Sequence, residues 1–404
     1  MNQNKLPITL VRGPIVSKIG NINNEATPAI GFAYLSGYLR KFGYEPLIVD
    51  AIGEGINKVW PLKKYPGFQA QGLNFEEIIS RIPRDSRVIG FSLMFSSEWP
   101  LVRDLLIEIR KHFPNALFVG GGEHVTGLAE YSLKDCKALD VCVRGEGEQT
   151  FFEIIKTYEK TGGFKGVGGI AYLDEDKVFH QDQSPPPRIR KIDEIGWPFW
   201  PDGYLEKFWE AGKSYGVATE KDMPFMVSRG CPYQCTFCSS PDMWTTRYSL
   251  RNVNDVVEEA KFYIKRFGIT SLQFYDLTAI TKKSWLVEFC HKLLDEGIHL
   301  NWSLPSGTRS EALDSESLSL LKKTGCNYLV YAPESGSLRT LKNIKKKIKL
   351  DQLTKSVLEA KRQSLIVRIN LIIGFPEETW SDIFKTVLYG LKMSFYGVDE
   401  APLY

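Results

Sequence analysis

Apolar and polar positions in the first 160 residues switch between two periods. Residues 8–11 form a short apolar run that stops at Arg12-Gly13-Pro14. Residues 28–42 then repeat apolar side chains at helical spacing (Ile30, Ala33, Tyr34, Tyr38, Leu39), and Gly43 follows where a C-terminal cap glycine belongs. Residues 46–50, 87–93, 116–119 and 141–143 read as further strands. Short apolar runs between helical segments predict a parallel sheet covered on both faces. Residues 1–160 are therefore expected to form a doubly wound, Rossmann-like α/β domain with ligand loops at the carboxyl ends of its strands.

Residues 168–179 alternate as a small hairpin turning at Asp174-Glu175-Asp176. Pro185-Pro186-Pro187 then favours an extended, semi-rigid spacer. Residues 161–204 read as hairpin and linker, with the aromatic run 197–201 expected to pack two domains together. From residue 205 the pattern returns to strand and helix in alternation. Strands are predicted at 223–228, 269–275, 299–304, 328–331, 367–373 and 397–403. Helices are predicted at 253–267, 283–296, 315–324, 350–363 and 380–392. Serial βα units predict a partial (β/α)6 barrel over 205–404, with polar residues at the strand ends as its site. The final strand is cut short, and the C-terminal part that should follow it is expected to be missing.

Length and composition agree with two soluble domains: 404 residues, 43% hydrophobic and 25% charged. A net charge of +3 excludes a dedicated nucleic-acid binder. The one dense basic run, Lys345-Lys346-Lys347, reads as a solvated helix-edge face. No apolar leader or eighteen-residue apolar run is present, so no membrane partner is expected. Cys136, Cys142, Cys290 and Cys326 show no disulfide spacing and read as buried free thiols of a reducing, cytoplasmic protein.

The remaining three cysteines carry the chemistry. Gly230-Cys231-Pro-Tyr-Gln-Cys235-Thr-Phe237-Cys238 has the spacing C-x3-C-x2-C. Three thiolates on one loop can hold three irons of a [4Fe–4S] cube and leave the fourth open. A structural zinc site needs four ligands, and the nearest histidines in sequence, His180 and His291, are remote.

This loop, placed just after a strand, resembles that of the radical S-adenosylmethionine (SAM) superfamily. The resemblance implies a [4Fe–4S] cluster on Cys231, Cys235 and Cys238, whose open iron chelates SAM and cleaves it reductively to a 5′-deoxyadenosyl radical. It places Phe237 beside the adenine. Asn370-Leu-Ile-Ile-Gly374-Phe-Pro-Glu377 is similar to the family's adenine-lining segment, with Asn in place of its first glycine. Glu334 and Ser335 resemble its ribose position. Asp276 and Thr278 lie where its second-strand motif meets the SAM amino group, although the usual Gly-Gly-Glu is absent. Arg309 could pair with the SAM carboxylate, since arginine offers a bidentate fork.

The first domain resembles the cobalamin-binding domain that precedes many such barrels, on residues 31–40, Gly121-Gly122-Glu123-His124 and Arg144-Gly145-Glu146-Gly147-Glu148. That resemblance implies cobalamin contacts at Gly13, Ser92, Ser96, Gly121, Gly122, His124, Gly145 and Gly147. The first loop holds no histidine to serve as the lower axial ligand found in other cobalamin proteins. Together the resemblances imply a cobalamin-dependent radical SAM enzyme, foremost a methyltransferase acting on an unactivated carbon. It would take a small-molecule substrate and electrons from a flavodoxin or ferredoxin. An oxidative cyclase of the anaerobic Mg-porphyrin type, or a non-catalytic cobalamin and SAM binder, are the alternatives. A methylthiotransferase needs three further cysteines in the first domain, which offers Cys136 and Cys142. No catalytic side chain is assignable from sequence, nor is the substrate or the oligomeric state.

Overall fold

The computed structural model describes residues 5–21, 26–182, 188–217, 219–309 and 313–404. The chain divides into two units: Met1–Lys213 with Asp242–Trp244, and Ser214–Pro241 with Thr245–Tyr404. The proline spacer at 185–187 lies outside the described residues.

In the first unit, β1 (Ile8–Arg12), β2 (Leu47–Asp50), β3 (Val88–Ser92), β4 (Leu117–Gly121) and β5 (Val141–Val143) form a parallel sheet in the order 2-1-3-4-5. Neighbouring residues of one strand face opposite ways. Ile8 and Leu10 join the core under helices Ile30–Arg40 and Gly147–Thr161, whereas Val11 joins the core under helix Trp99–His112. Both faces are covered, as the apolar runs predict. Strand order reverses between β1 and β3, and in such sheets the crevice at that switch point is the ligand site.

The hairpin assigned to a linker is instead part of this sheet. β6 (Ile170–Leu173) pairs antiparallel with β5, and β7 (Phe179–Gln181) pairs with β6. Edge pairing satisfies backbone groups that β5 would otherwise leave open. The aromatic run 197–201 also belongs to this unit. Phe199 N–H donates to the Ala33 carbonyl at 2.9 Å, and Arg40 lies 4.0 Å over the Phe199 ring. Gly37 is needed there, because a Cβ would sit 2.3 Å from the Trp197 carbonyl. A small sheet of Ile15–Lys18, Phe68–Gln71 and Val59–Pro61 had no counterpart in the sequence reading.

The second unit is a five-stranded parallel sheet in chain order: β8 (Asp222–Phe225), β9 (Ser271–Phe274), β10 (Asn301–Thr308), β11 (Cys326–Glu334) and β12 (Ile366–Leu371). Glu400 and Leu403 add two isolated parallel bridges to β12, at the place expected for a sixth strand. Along β9, Leu272 and Phe274 are buried with Phe289 and Trp302, whose rings lie 6.0 and 5.3 Å from Phe274. The alternate positions Ser271 and Gln273 form a buried polar network with Asp222 and Ser303. Among the described residues, no helix is long and apolar enough to cross a membrane.

Candidate functional site

The cysteine loop leaves a short antiparallel pair, Ser228–Arg229 with Ser249–Leu250, through Gly230 at φ 86°. Asp276, beyond the end of β9, fixes the root of that loop. Its carboxylate accepts from the Val227 N–H at 3.0 Å, the Ser228 N–H, and the Ser228 hydroxyl at 2.5 Å. Within the loop, Cys238 N–H donates to the Cys235 carbonyl at 3.2 Å, and Thr236 N–H to the Ile344 carbonyl at 3.1 Å.

All three thiols are free, with Cys238 exposed and the other two partly so. Burial raises the thiol pKa of Cys231 and Cys235, and the neighbouring thiols raise them further. Lys346 opposes this at both, and the Tyr233 N–H and Arg309 also oppose it at Cys231. Among the described residues, no three His, Cys, Asp or Glu side chains converge as on one metal ion. Three free thiols on one loop are the donor set of a [4Fe–4S] cluster, whereas a closed zinc tetrahedron needs a fourth ligand.

Around this loop the structure brings several expected residues together. Phe237 is exposed and its ring lies 5.4 Å from Phe375, which follows Gly374 after the end of β12. Gly374 takes φ 88° and has open space where a Cβ would point. Thr278 Oγ1 is buried and has no hydrogen-bond partner among the described residues. Such an atom is costly unless a ligand satisfies it. Phe237 thus offers an exposed aromatic face close to Phe375 and to the open position at Gly374.

Five other expected SAM contacts have different surroundings. Asp276 is 1% exposed and occupied by the loop root. Arg309 stacks 3.8 Å over Tyr233 and donates to the Lys347 carbonyl. Glu334, at φ 67°, is paired with Lys346 at 2.8 Å. Ser335 is buried in a network with Thr386, at 2.8 Å, and the Ser337 N–H. Glu377 is exposed and meets Asn343 at 3.3 Å. The carboxylate that folds into the loop after β12 is Glu378, which accepts the Gly374 and Phe375 N–H groups at 2.8 and 3.1 Å.

In the first unit, a cleft at the β1/β3 switch point is lined by Arg12, Gly13, Ser92, Met94, Phe95 and Glu98. Met94 and Phe95 are exposed, offering apolar surface at the carboxyl edge. Gly121 leaves open space there, whereas Gly122, at φ 125°, is required because a Cβ would meet the Leu93 carbonyl at 2.5 Å. Gly145 N–H is taken by Thr126 Oγ1 at 3.0 Å, and Gly147 opens the following helix. Met94, Phe95 and Gly121 leave the carboxyl edge of the sheet open at this point.

His124 is a packing residue. Ser96 bonds its Nδ1 at 2.9 Å, Ser132 bonds its Nε2 at 3.1 Å, and Trp99 lies against the ring. Burial lowers its pKa. Both ring nitrogens are engaged by serine hydroxyls, so binding a cobalt ion would require breaking one of these bonds. His124→Gln is therefore expected to bind cobalamin with an unchanged optical spectrum while losing about 1–2 kcal/mol of stability. Cobalamin titration followed by absorbance, beside a melting curve, checks both halves.

Residues 225–389 match the Radical SAM superfamily and residues 20–155 match the B12 binding domain. An uncharacterized methyltransferase of Pyrococcus horikoshii, PH0819, is 29% identical over 390 residues, covering 96% of this chain and 78% of the relative. The cytidylyl-2-hydroxyethylphosphonate methyltransferase of Streptomyces wedmorensis is 29% identical over 373 residues, 87% of this chain and 69% of its own. The anaerobic magnesium-protoporphyrin IX monomethyl ester cyclase of Rubrivivax gelatinosus is 26% identical over 366 residues, 89% of this chain and 61% of its own. Two solved structures share the fold. The radical SAM methyltransferase TsrM of Kitasatospora setae has TM-score 0.72 at 16% identity, over 98% of this chain and 72% of that one. The cobalamin-dependent radical enzyme OxsB has TM-score 0.74 at 20% identity, over 96% and 52%. With a B12 binding domain on the doubly wound unit and a radical SAM domain on the three-cysteine unit, this chain belongs to the cobalamin-dependent radical SAM enzyme family.

Proposed function

We propose that this chain methylates an unactivated carbon of a small molecule. Cys231, Cys235 and Cys238 would hold a [4Fe–4S] cluster, Phe237, Thr278 and Gly374 would border SAM, and the β1/β3 edge with Gly121 would carry cobalamin. When bound, these groups supply reductive cleavage of SAM and a transferable methyl group. The protein's share is to hold three thiolates on a loop fixed at its root by Asp276 and to keep the adenine-side loop folded through Glu378. The observation that carries the reading is the free three-thiol loop in a chain that also folds a glycine-relieved B12-type edge. Two relatives that are methyltransferases by name favour methyl transfer.

A second reading, radical oxidation or ring closure, has support in the magnesium-protoporphyrin cyclase relatives. Electrons from a flavodoxin or ferredoxin would serve either reaction. Anaerobic reconstitution with iron, sulfide and cobalamin, followed by turnover with SAM and candidate acceptors, separates them. S-adenosylhomocysteine formed together with 5′-deoxyadenosine, in an acceptor-dependent way, is the result expected for methyl transfer. Acceptor-dependent 5′-deoxyadenosine without S-adenosylhomocysteine would overturn it in favour of cyclisation or oxidation.

A further inference from the structure

The basic run at 345–347 is not a uniform solvated face. Lys345 and Lys347 are exposed, but the Lys346 side chain is 12% exposed and pairs at 2.8 Å with Glu334, itself 9% exposed. Two independent contacts fasten this turn to the cysteine loop. Thr236, between Cys235 and Cys238, donates its N–H to the Ile344 carbonyl at 3.1 Å. Arg309 lies 3.8 Å over Tyr233, between Cys231 and Cys235, and donates to the Lys347 carbonyl. Lys346 stands between the two anchored carbonyls. The backbone there is committed as well, since Lys345 and Glu334 both have positive φ, 55° and 67°.

We infer that Lys346 is a positioning residue that sets the reduction potential of the iron–sulfur cluster, with Glu334 as its counterweight. The inference rests on the assignment of a cluster to Cys231, Cys235 and Cys238. Adding one electron to a thiolate-ligated cluster adds negative charge. A mostly buried ammonium on the turn fastened to the loop stabilises that charge and raises the potential; a carboxylate there lowers it. The held ion pair gives a fixed field, whereas a free lysine would swing into solvent.

The test is a redox titration of the reconstituted chain, without SAM, followed by EPR of the reduced cluster. Lys346→Gln is expected to lower the reduced-to-oxidised ratio at a fixed potential about tenfold, which is about 59 mV for a one-electron couple. Glu334→Gln is expected to move the potential the other way, and Lys346→Arg to restore it. Iron and sulfide content read alongside should stay at the unsubstituted level. Opposite signs for the two variants are the signature of charge. Shifts of the same sign, or no shift with full iron content, would mean that the pair only braces the loop and overturn the inference. Absence of any cluster in the unsubstituted chain would overturn the cluster assignment and the inference together.

Discussion

Cys235→Ala is expected to abolish the iron–sulfur cluster while leaving the fold intact. Iron should fall from about four per chain to below about one, because a cube held at three corners has no spare protein ligand. The reduced-cluster EPR signal and reductive SAM cleavage should vanish with it. The fold should survive, since Cys235 is only partly buried and the loop is held by contacts that do not involve its sulfur. Those contacts are the Thr236 bond to Ile344, the Arg309 stack on Tyr233, and the Asp276 clamp on Val227 and Ser228. Cys142→Ala should do the reverse. Cys142 is 0% exposed, and burial pushes its thiol well above the usual range. Its loss should cost about 1 kcal/mol through a small cavity and leave iron content unchanged. Iron and sulfide analysis with thermal unfolding on both variants checks the pair. Iron retained at full level by Cys235→Ala would remove the cysteine loop from the cluster assignment.

The periodicity of the chain made both sheets legible, because each parallel strand is a short apolar run and each covering helix shows a 3.6-residue face. What failed were elements whose pairing is not written in their own residues. Val59–Pro61 and Phe68–Gln71 are three and four residues long, too short for a period to declare itself. Residues 168–179 read as a hairpin, yet nothing within them says that β5 offers a free edge. The cysteine loop was legible from spacing alone, since three thiols in eight residues have few structural uses. Its supports were not. Lys346 is one of three identical neighbours, and only the approach of Glu334 distinguishes it. Glu377 and Glu378 are adjacent carboxylates. The positive φ of Glu377, 71°, accompanies an outward side chain there, while Glu378 folds into the loop. Asp276 stands at a strand end, where the resemblance implies a ligand contact. Its partners, Val227 and Ser228, lie almost fifty residues away in sequence, a pairing that periodicity does not encode.

That clamp carries the second large prediction. Asp276 is 1% exposed, and burial pushes its carboxyl up to about 6 despite the donors that favour the charged form. Asp276→Ala would strand the Val227 N–H, the Ser228 N–H and the Ser228 hydroxyl at the root of the cysteine loop. Leaving buried donors unpaired should cost about 3–5 kcal/mol and lower the melting temperature by on the order of 10 °C. The loop should lose its register, so cluster content should fall too, although no cysteine is touched. Asp276→Asn preserves an acceptor and the shape, and isolates the titration. An acid whose pKa rises on folding holds its proton in the native state after the unfolded chain has released it. Its contribution is fully present below about pH 4 and is lost as pH rises through about 6. Relative to Asp276→Asn, the unsubstituted chain should therefore lose about 3 kcal/mol between those limits and stay level above them. Urea unfolding of both proteins at pH 4, 5 and 6.5 measures the difference. A difference that is flat across this window, or that grows in favour of the unsubstituted chain as pH rises, would show that the Val227 and Ser228 donors outweigh desolvation and keep the clamp ionised throughout.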